Sequence, residues 1–207
     1  HPAIENRFAM GRMPTGTILS YGLCSDWRKR KPMNQKPEKN IVLIGFMGCG
    51  KSSVAAALGR NWKMDVIEMD QMISEQQGLS IPEIFDRFGE EYFRDLETAL
   101  LKKLRGRHGC VVSCGGGAPL REENVSEMKK IGQVILLTAS PETIYARTSD
   151  SNDRPNLKNR KSPEAIAELL EQRRPKYEAA ADHIVATDGR IISDICEEIL
   201  RLAEIDE

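Results

Sequence analysis

Ile41-Val42-Leu43-Ile44-Gly45-Phe46-Met47-Gly48-Cys49-Gly50-Lys51-Ser52 is the stretch on which the reading of this chain turns. Four consecutive β-favouring apolar residues predict a strand buried on both faces. They run into Gly45-x-x-x-x-Gly50-Lys51-Ser52, the complete phosphate-binding loop pattern. Glycines let the backbone curl so that successive N–H groups point at phosphate oxygens, backed by the positive end of the following helix. Lys51 supplies a point charge for β- and γ-phosphates, and the Ser52 hydroxyl suits Mg²⁺. The helix-forming run Val54–Leu58 completes the strand–loop–helix context. The pattern therefore implies a site for a nucleoside triphosphate.

Outward from this loop, strand and helix signals alternate. Short strands are predicted at 65–68, 111–114, 134–137 and 184–186. Helices are predicted over 51–61, to about 77, from a Ser80-x-x-Glu83 capping box, and over 91–104 after a break at Gly89. Further helices begin at the Ser140-Pro141 and Ser162-Pro163 caps, the latter reaching about Tyr177, and a closing amphipathic helix covers 191–202. Five short strands separated by helices predict an α/β fold with a parallel sheet covered on both faces. Such sheets gather ligands at the C-terminal ends of their strands. That edge carries the phosphate loop, Glu68 with Asp70, and Gly115-Gly116-Gly117.

Composition bounds the alternatives. The 207 residues, 40% hydrophobic and 29% charged, suit one soluble domain behind an atypical front end. The net charge of −1 divides into +5 over residues 1–40 and −6 over the rest. An acidic body argues against nucleic acid as a partner, and no apolar run is long enough to span a bilayer. The five cysteines fit neither a metal-binding spacing nor a disulfide framework, which points to a reducing, cytoplasmic setting. Cys49 lies within the loop, where a helix N-terminus lowers a thiol pKa, so thiol reagents could block nucleotide binding; the simpler reading is that a small residue fits there. Residues 1–40, with Arg28-Lys29-Arg30-Lys31, lack apolar periodicity and read as a flexible N-terminal extension, leaving 41–207 as the folded domain.

The second substrate leaves its own marks. Asp70, just past a strand end, can orient an acceptor hydroxyl and take its proton, while Glu68 is better placed in a Mg²⁺ shell. The blander alternative is a pair of helix N-terminal acids favoured by the dipole. A bare triple glycine suggests close approach of ligand to backbone, although a tight turn alone also uses glycine. Arg94 and Arg173, if they converge, would clamp a carboxylate. Arg154, in the polar stretch 149–161, suits a lid that closes over phosphates.

Taken in order, Gly-x-x-Gly-x-Gly-Lys-Ser, Glu68-x-Asp70, Phe93-Arg94-x-x-Glu97, Gly115-Gly116-Gly117, Arg154-Pro155 and Arg173-x-Pro175-x-Tyr177 resemble shikimate kinase from about residue 41 to 202. The resemblance implies a P-loop, nucleoside-monophosphate-kinase-like three-layer sandwich with strand order 2-3-1-4-5 and a mobile lid. It implies transfer of the ATP γ-phosphate, with Mg²⁺, to the 3-hydroxyl of shikimate, by a monomer. Asp70, Arg94, Gly116 and Arg173 then correspond to shikimate ligands, and residues 48–53 (Gly48, Cys49, Gly50, Lys51, Ser52, Ser53) to the triphosphate cradle. Ser52 corresponds to the metal ligand, Arg154 to the lid arginine, and Arg147 and Arg190 to the adenine side. Asp70, Lys51 and Arg154 would carry the chemistry. Glu68 departs from the family's Asp by one methylene. Competing readings are a gluconate or nucleotide kinase on the same scaffold and a non-catalytic nucleotide switch.

Overall fold

The computed structural model describes residue 37, residues 39–149 and residues 162–205. Five strands form one sheet: β1 (Ile41–Ile44), β2 (Asp65–Glu68), β3 (Cys110–Ser113), β4 (Gln133–Thr138) and β5 (His183–Ala186). All are parallel in the order β2-β3-β1-β4-β5. The helices are α1 (Lys51–Trp62), α2 (Met69–Gln77), α3 (Ile81–Leu104), α4 (Glu122–Ile131), α5 (Pro141–Thr148), α6 (Pro163–Ala180) and α7 (Ile192–Ile205), with a 3₁₀ turn over Ala118–Leu120.

Because strand side chains alternate, the unbroken apolar run of β1 feeds two separate cores. Val42 and Ile44 join Val112, Val134 and Leu136 against α3, α4 and α6, through residues such as Ile84, Leu101, Met128 and Leu169. Ile41 and Leu43 join Val111, Ile135 and Leu137 against α1 and α7, through Val54, Leu58, Ile195 and Ile199. Each such side chain contributes on the order of 1.5–3 kcal/mol when fully buried. All four residues of β1 are wholly inaccessible, as the centre of a three-layer sandwich requires.

The expected burial holds only for the inner strands. At the sheet edges Val66 and Ile184 are 42% and 52% exposed, because β2 and β5 each have one neighbouring strand. Strand β3 begins one residue earlier than its apolar pattern suggests. Helix α4 is not announced by the sequence: its buried face mixes Met128 and Ile131 with Asn124 and Glu127, which blurs the apolar period. Helix α6 runs through Pro175 to Ala180, past the expected end, so Tyr177 is a helical residue.

Local signals do their expected work elsewhere. The Ser80–Glu83 capping box forms in both directions, with Glu83 N donating to Ser80 Oγ and Ser80 N donating to Glu83 Oε2. Gly89, at φ 83°, breaks α3 into a short and a long segment. Ser140 and Ser162 accept from the N–H groups of Thr143 and Ala165. Cys49, Cys110, Cys114 and Cys196 are buried and form no disulfide, and Cys24 lies outside the described residues. No described helix is long and apolar enough to cross a membrane.

Candidate active site

The phosphate loop leaves β1 at Ile44 and enters α1 at Lys51. Gly50 caps α1 in the left-handed region, at φ 104°, with no side chain occupying the cap. The first-turn N–H groups of Lys51, Ser52 and Ser53 therefore face outward at the positive end of the helix. Lys51 Nζ folds back over the loop, donating to Gly45 O at 2.9 Å and Phe46 O at 3.0 Å. The Ser52 hydroxyl donates to Glu68 Oε2 at 3.3 Å, so the loop and the end of β2 meet. A hydroxyl and a carboxylate so placed are hard oxygen donors of the kind Mg²⁺ takes when phosphates fill its other positions. No cluster of three or more His, Cys, Asp or Glu suited to a metal occurs among the described residues.

The far side of the loop is braced by Arg147 on α5. Its guanidinium donates to Gly48 O and to Thr187 Oγ1, both at 3.2 Å, and Thr187 Oγ1 donates to Cys49 O at 3.0 Å. Arg190 is placed differently: it pairs with Glu198 at 2.6 Å and donates to Ala186 O. Arg147 thus touches the loop, whereas Arg190 is engaged with β5 and α7. The Cys49 side chain is completely buried in the α1–α7 core, so it faces packing rather than reagent. Arg154 lies outside the described residues.

Beside the loop is a cavity of about 340 Å³, lined by Asp70, Arg94, Glu97, Gly115–Gly117 and Arg173, with Met47, Ile81, Pro82, Phe85 and Phe93 as its apolar wall. Sequence alone could not bring Arg94 and Arg173 together; the fold does. Arg94 projects from the long segment of α3, donating to Glu97 Oε2 at 2.8 Å and Glu90 Oε1 at 2.7 Å, with Phe93 stacked 5.5 Å away. Arg173 reaches from α6, its guanidinium 5.6 Å from the Phe46 ring centroid. Asp70 sits in the first turn of α2, exposed, so it is both a helix N-terminal acid and a wall of the cavity.

The triple glycine joins the two halves. A Cβ on Gly116 would lie 3.6 Å from Gly45 O and Met47 N, which places this turn directly against the phosphate loop. Tyr177 donates its hydroxyl to Gly116 O at 2.6 Å, and burial raises that phenol's pKa. The closest approaches fall on its neighbours. A Cβ on Gly117 would overlap the Arg94 guanidinium, and one on Gly115 would lie 2.7 Å from Asp70 Oδ1 and 2.8 Å from Glu97 Oε1. The resemblance implies a ligand contact at Gly116, and the protein's own side chains crowd the glycines on either side of it.

Glu97 is the residue to which sequence reasoning assigned no role. It is completely inaccessible, one oxygen holds Arg94, and Oε1 has no hydrogen-bond partner. Burial pushes its carboxyl up to about 7, against the Arg94 charge and hydrogen bond that lower it, with Asp70 and Glu90 adding to the rise. A signal was present: Glu97 falls on the same helical face as Phe93, Leu100, Leu101 and Leu104, where a carboxylate is out of place unless it is paired.

These features carry a kinase signature in their own right, a phosphate cradle abutting a pocket with one acid and two arginines. The family model described as shikimate kinase matches residues 47–204. The chain is 39% identical to a shikimate kinase of Thermodesulfovibrio yellowstonii, over 79% of this chain and 94% of that protein. It is 42% identical to one of Geobacter sulfurreducens, over 78% and 88%. Among solved structures, shikimate kinase from Acinetobacter baumannii in complex with shikimate superposes with a TM-score of 0.75 at 32% identity, covering 81% of this chain and 93% of that one. The chain belongs to the shikimate kinase family.

Proposed function

We propose that this protein transfers the γ-phosphate of ATP to the 3-hydroxyl of shikimate, giving shikimate 3-phosphate and ADP. The observation that carries this reading is the cavity in which Asp70, Arg94 and Arg173 converge beside the phosphate loop. Two guanidinium groups in one pocket suit a carboxylate, whose planar oxygens accept paired N–H donors. The apolar wall of Ile81, Pro82, Phe85 and Phe93 suits the carbon face of a small ring. A non-catalytic nucleotide switch would have no use for this second pocket.

In this mechanism Arg94 and Arg173 hold the carboxylate, and the backbone at Gly116 abuts the ring. The opposite side of the ring then presents a hydroxyl to Asp70, which orients it and accepts its proton as the oxygen attacks the γ-phosphorus. The new P–O bond forms as the bridge to the β-phosphate breaks, and ADP leaves. The first-turn N–H groups of α1 and the Lys51 ammonium stabilise the charge spread over the transferring group. Lys51 is released from Gly45 O and Phe46 O when phosphates offer a stronger acceptor. Ser52 and Glu68 would hold Mg²⁺, which supplies charge neutralisation on the β- and γ-phosphates. Arg147 steadies the nucleotide side of the loop, with Arg190 further along the same side. Arg154, the lid arginine that the resemblance implies, lies outside the described residues. The domain acts as a soluble monomer in the cytoplasm, and it takes in Asn40, whose buried side chain donates to Arg107 O and Ile131 O and accepts from Cys110 N.

Coupled ADP release in Mg-ATP, with and without shikimate, tests the reading. Release that depends on shikimate and is absent with quinate or gluconate is expected. ATP binding without any shikimate dependence would overturn it.

A further inference from the structure

Glu97 combines three features that the phosphoryl-transfer scheme leaves unused. It is wholly buried, it lines the substrate cavity, and its Oε1 has no partner. Its surroundings are unequal in charge. On its own helix it faces Arg94, which Glu90 also holds. From α2 comes Asp70, whose Oδ1 crowds the same point beside Gly115. From the end of β3 comes the Cys114 thiol, held neutral by burial, and from α6 comes Arg173 across the cavity. The Arg94 guanidinium therefore serves two glutamates, with the Asp70 carboxylate beside them.

An anionic substrate changes that balance. A carboxylate seated on Arg94 and Arg173 adds a further negative charge beside Glu97, where little water is present to screen it. The exposed Glu90 can swing away into solvent, since its side chain is 65% accessible, but Glu97 cannot. The remaining way to relieve the excess charge is to protonate Glu97. The neutral acid keeps one oxygen for Arg94 and turns its O–H on the unpartnered side toward the Asp70–Gly115 wall.

We propose that Glu97 couples substrate capture to proton uptake, so that the pocket takes a carboxylate together with one proton and holds it more tightly on the acid side of neutrality. The inference rests on the carboxylate clamp of the preceding subsection. Glu97 acts through Arg94 and the field of the pocket, and is a positioning residue. With Glu97 titrating near neutrality in the free protein, its ordinary value of 4.5 left well behind, the coupling falls in the working range of pH.

The test is calorimetric titration of the full chain with shikimate near pH 7, in buffers of differing ionisation enthalpy. The dependence of observed heat on buffer reports protons taken up per ligand bound. Fractional uptake near neutrality, vanishing at pH 9, is expected, with binding weakened about tenfold between pH 6 and pH 9. E97Q keeps an acceptor for Arg94 but cannot titrate; its binding should show no uptake and a flat pH profile. Shikimate binding by the native protein without proton uptake would overturn the coupling and leave the clamp standing. Uptake that persists in E97Q would overturn the assignment to Glu97. Absence of shikimate binding would overturn the clamp itself, and the coupling with it. Should E97Q fail to fold, the infrared spectrum of the native protein decides: the band of a protonated buried carboxyl should grow when shikimate is added at pH 7, and its constancy would refute the proposal.

Discussion

Replacing Gly117 by alanine separates substrate recognition from stability. Gly117 has φ −96° and ψ −12°, a conformation alanine adopts readily, so the backbone is unstrained. The added methyl would meet Arg94, with Cζ and Nη1 each 2.6 Å from the new Cβ. Ordinary contact needs about 3.5–4 Å, so the guanidinium must withdraw by roughly 1 Å. That end of a flexible side chain can move without unfolding anything. It would nonetheless lose the aim set by Glu97 and Glu90, and with it about one charge-assisted hydrogen bond to the substrate carboxylate, worth about 1.5–3 kcal/mol. At about 1.4 kcal/mol per tenfold, KM for shikimate should rise about 10- to 100-fold. KM for ATP should stay within about twofold, and the unfolding midpoint should change little. Steady-state kinetics with each substrate varied in turn, beside a thermal melt, give all three. A shikimate KM unchanged in a folded G117A protein would refute the placement of Arg94 against this turn. The control is Gly116→Ala, whose Cβ meets nothing of the protein closer than 3.6 Å, so any loss there comes from the ligand alone.

Asp70→Asn should lower kcat by about 10²- to 10⁴-fold, the span of general base catalysis, with ATP binding and the melt unchanged; activity near the native level would remove Asp70 from its role. Tyr177→Phe deletes the hydroxyl that holds Gly116 O, a net loss of about 0.5–1.5 kcal/mol in thermal or denaturant unfolding, and an unchanged midpoint would show that bond to be idle. Ser80→Ala breaks the capping box ahead of α3 and should cost about 1 kcal/mol in the same assay. The folded protein holds the Glu97 proton up to about pH 7, whereas the unfolded chain loses it near 4.5. Stability from this group is therefore fully present below about 4.5 and is lost as pH rises through 7, an effect of up to about 3 kcal/mol. Comparing denaturant midpoints at pH 5 and pH 8 should show a steeper decline in the native protein than in E97Q, and equal slopes would contradict the burial of that charge.

What could be read from the chain and what could not divide along a physical line. Strand β1, the loop and α1 were legible because each residue there answers to a local rule: apolar run, curled glycines, helix former. The capped starts of α3, α5 and α6 were legible for the same reason, since a Ser accepts from an N–H three residues on whatever the rest of the fold does. Helix α4 escaped because Asn124 and Glu127 each find a partner more than twenty residues away, Thr98 and Arg105, beside nearer ones. Thr98 and Ala118 satisfy the first, and Arg105 pairs with the second. The site repeats that division. Lys51, Ser52 and Asp70 belong to short motifs, while the meeting of Arg94 with Arg173 depends on how α3 and α6 flank the sheet.

Glu97 shows why the unread part bears on function. A buried carboxylate on an apolar helix face is destabilising unless paired, and its partner Arg94 is also the group proposed to hold the substrate carboxylate. Removing the conflict with an apolar residue at 97 would free Arg94 to swing toward Glu90 and solvent, because nothing else in the described residues holds it from the buried side. The same reasoning explains the glycines on either side of Gly116. A Cβ at 115 would displace Glu97 and Asp70, and one at 117 would displace Arg94, so the bare turn keeps Glu97, its guanidinium partner and Asp70 within one small cavity. The triple glycine is thus required as much by the protein's own charged side chains as by any ligand that approaches it.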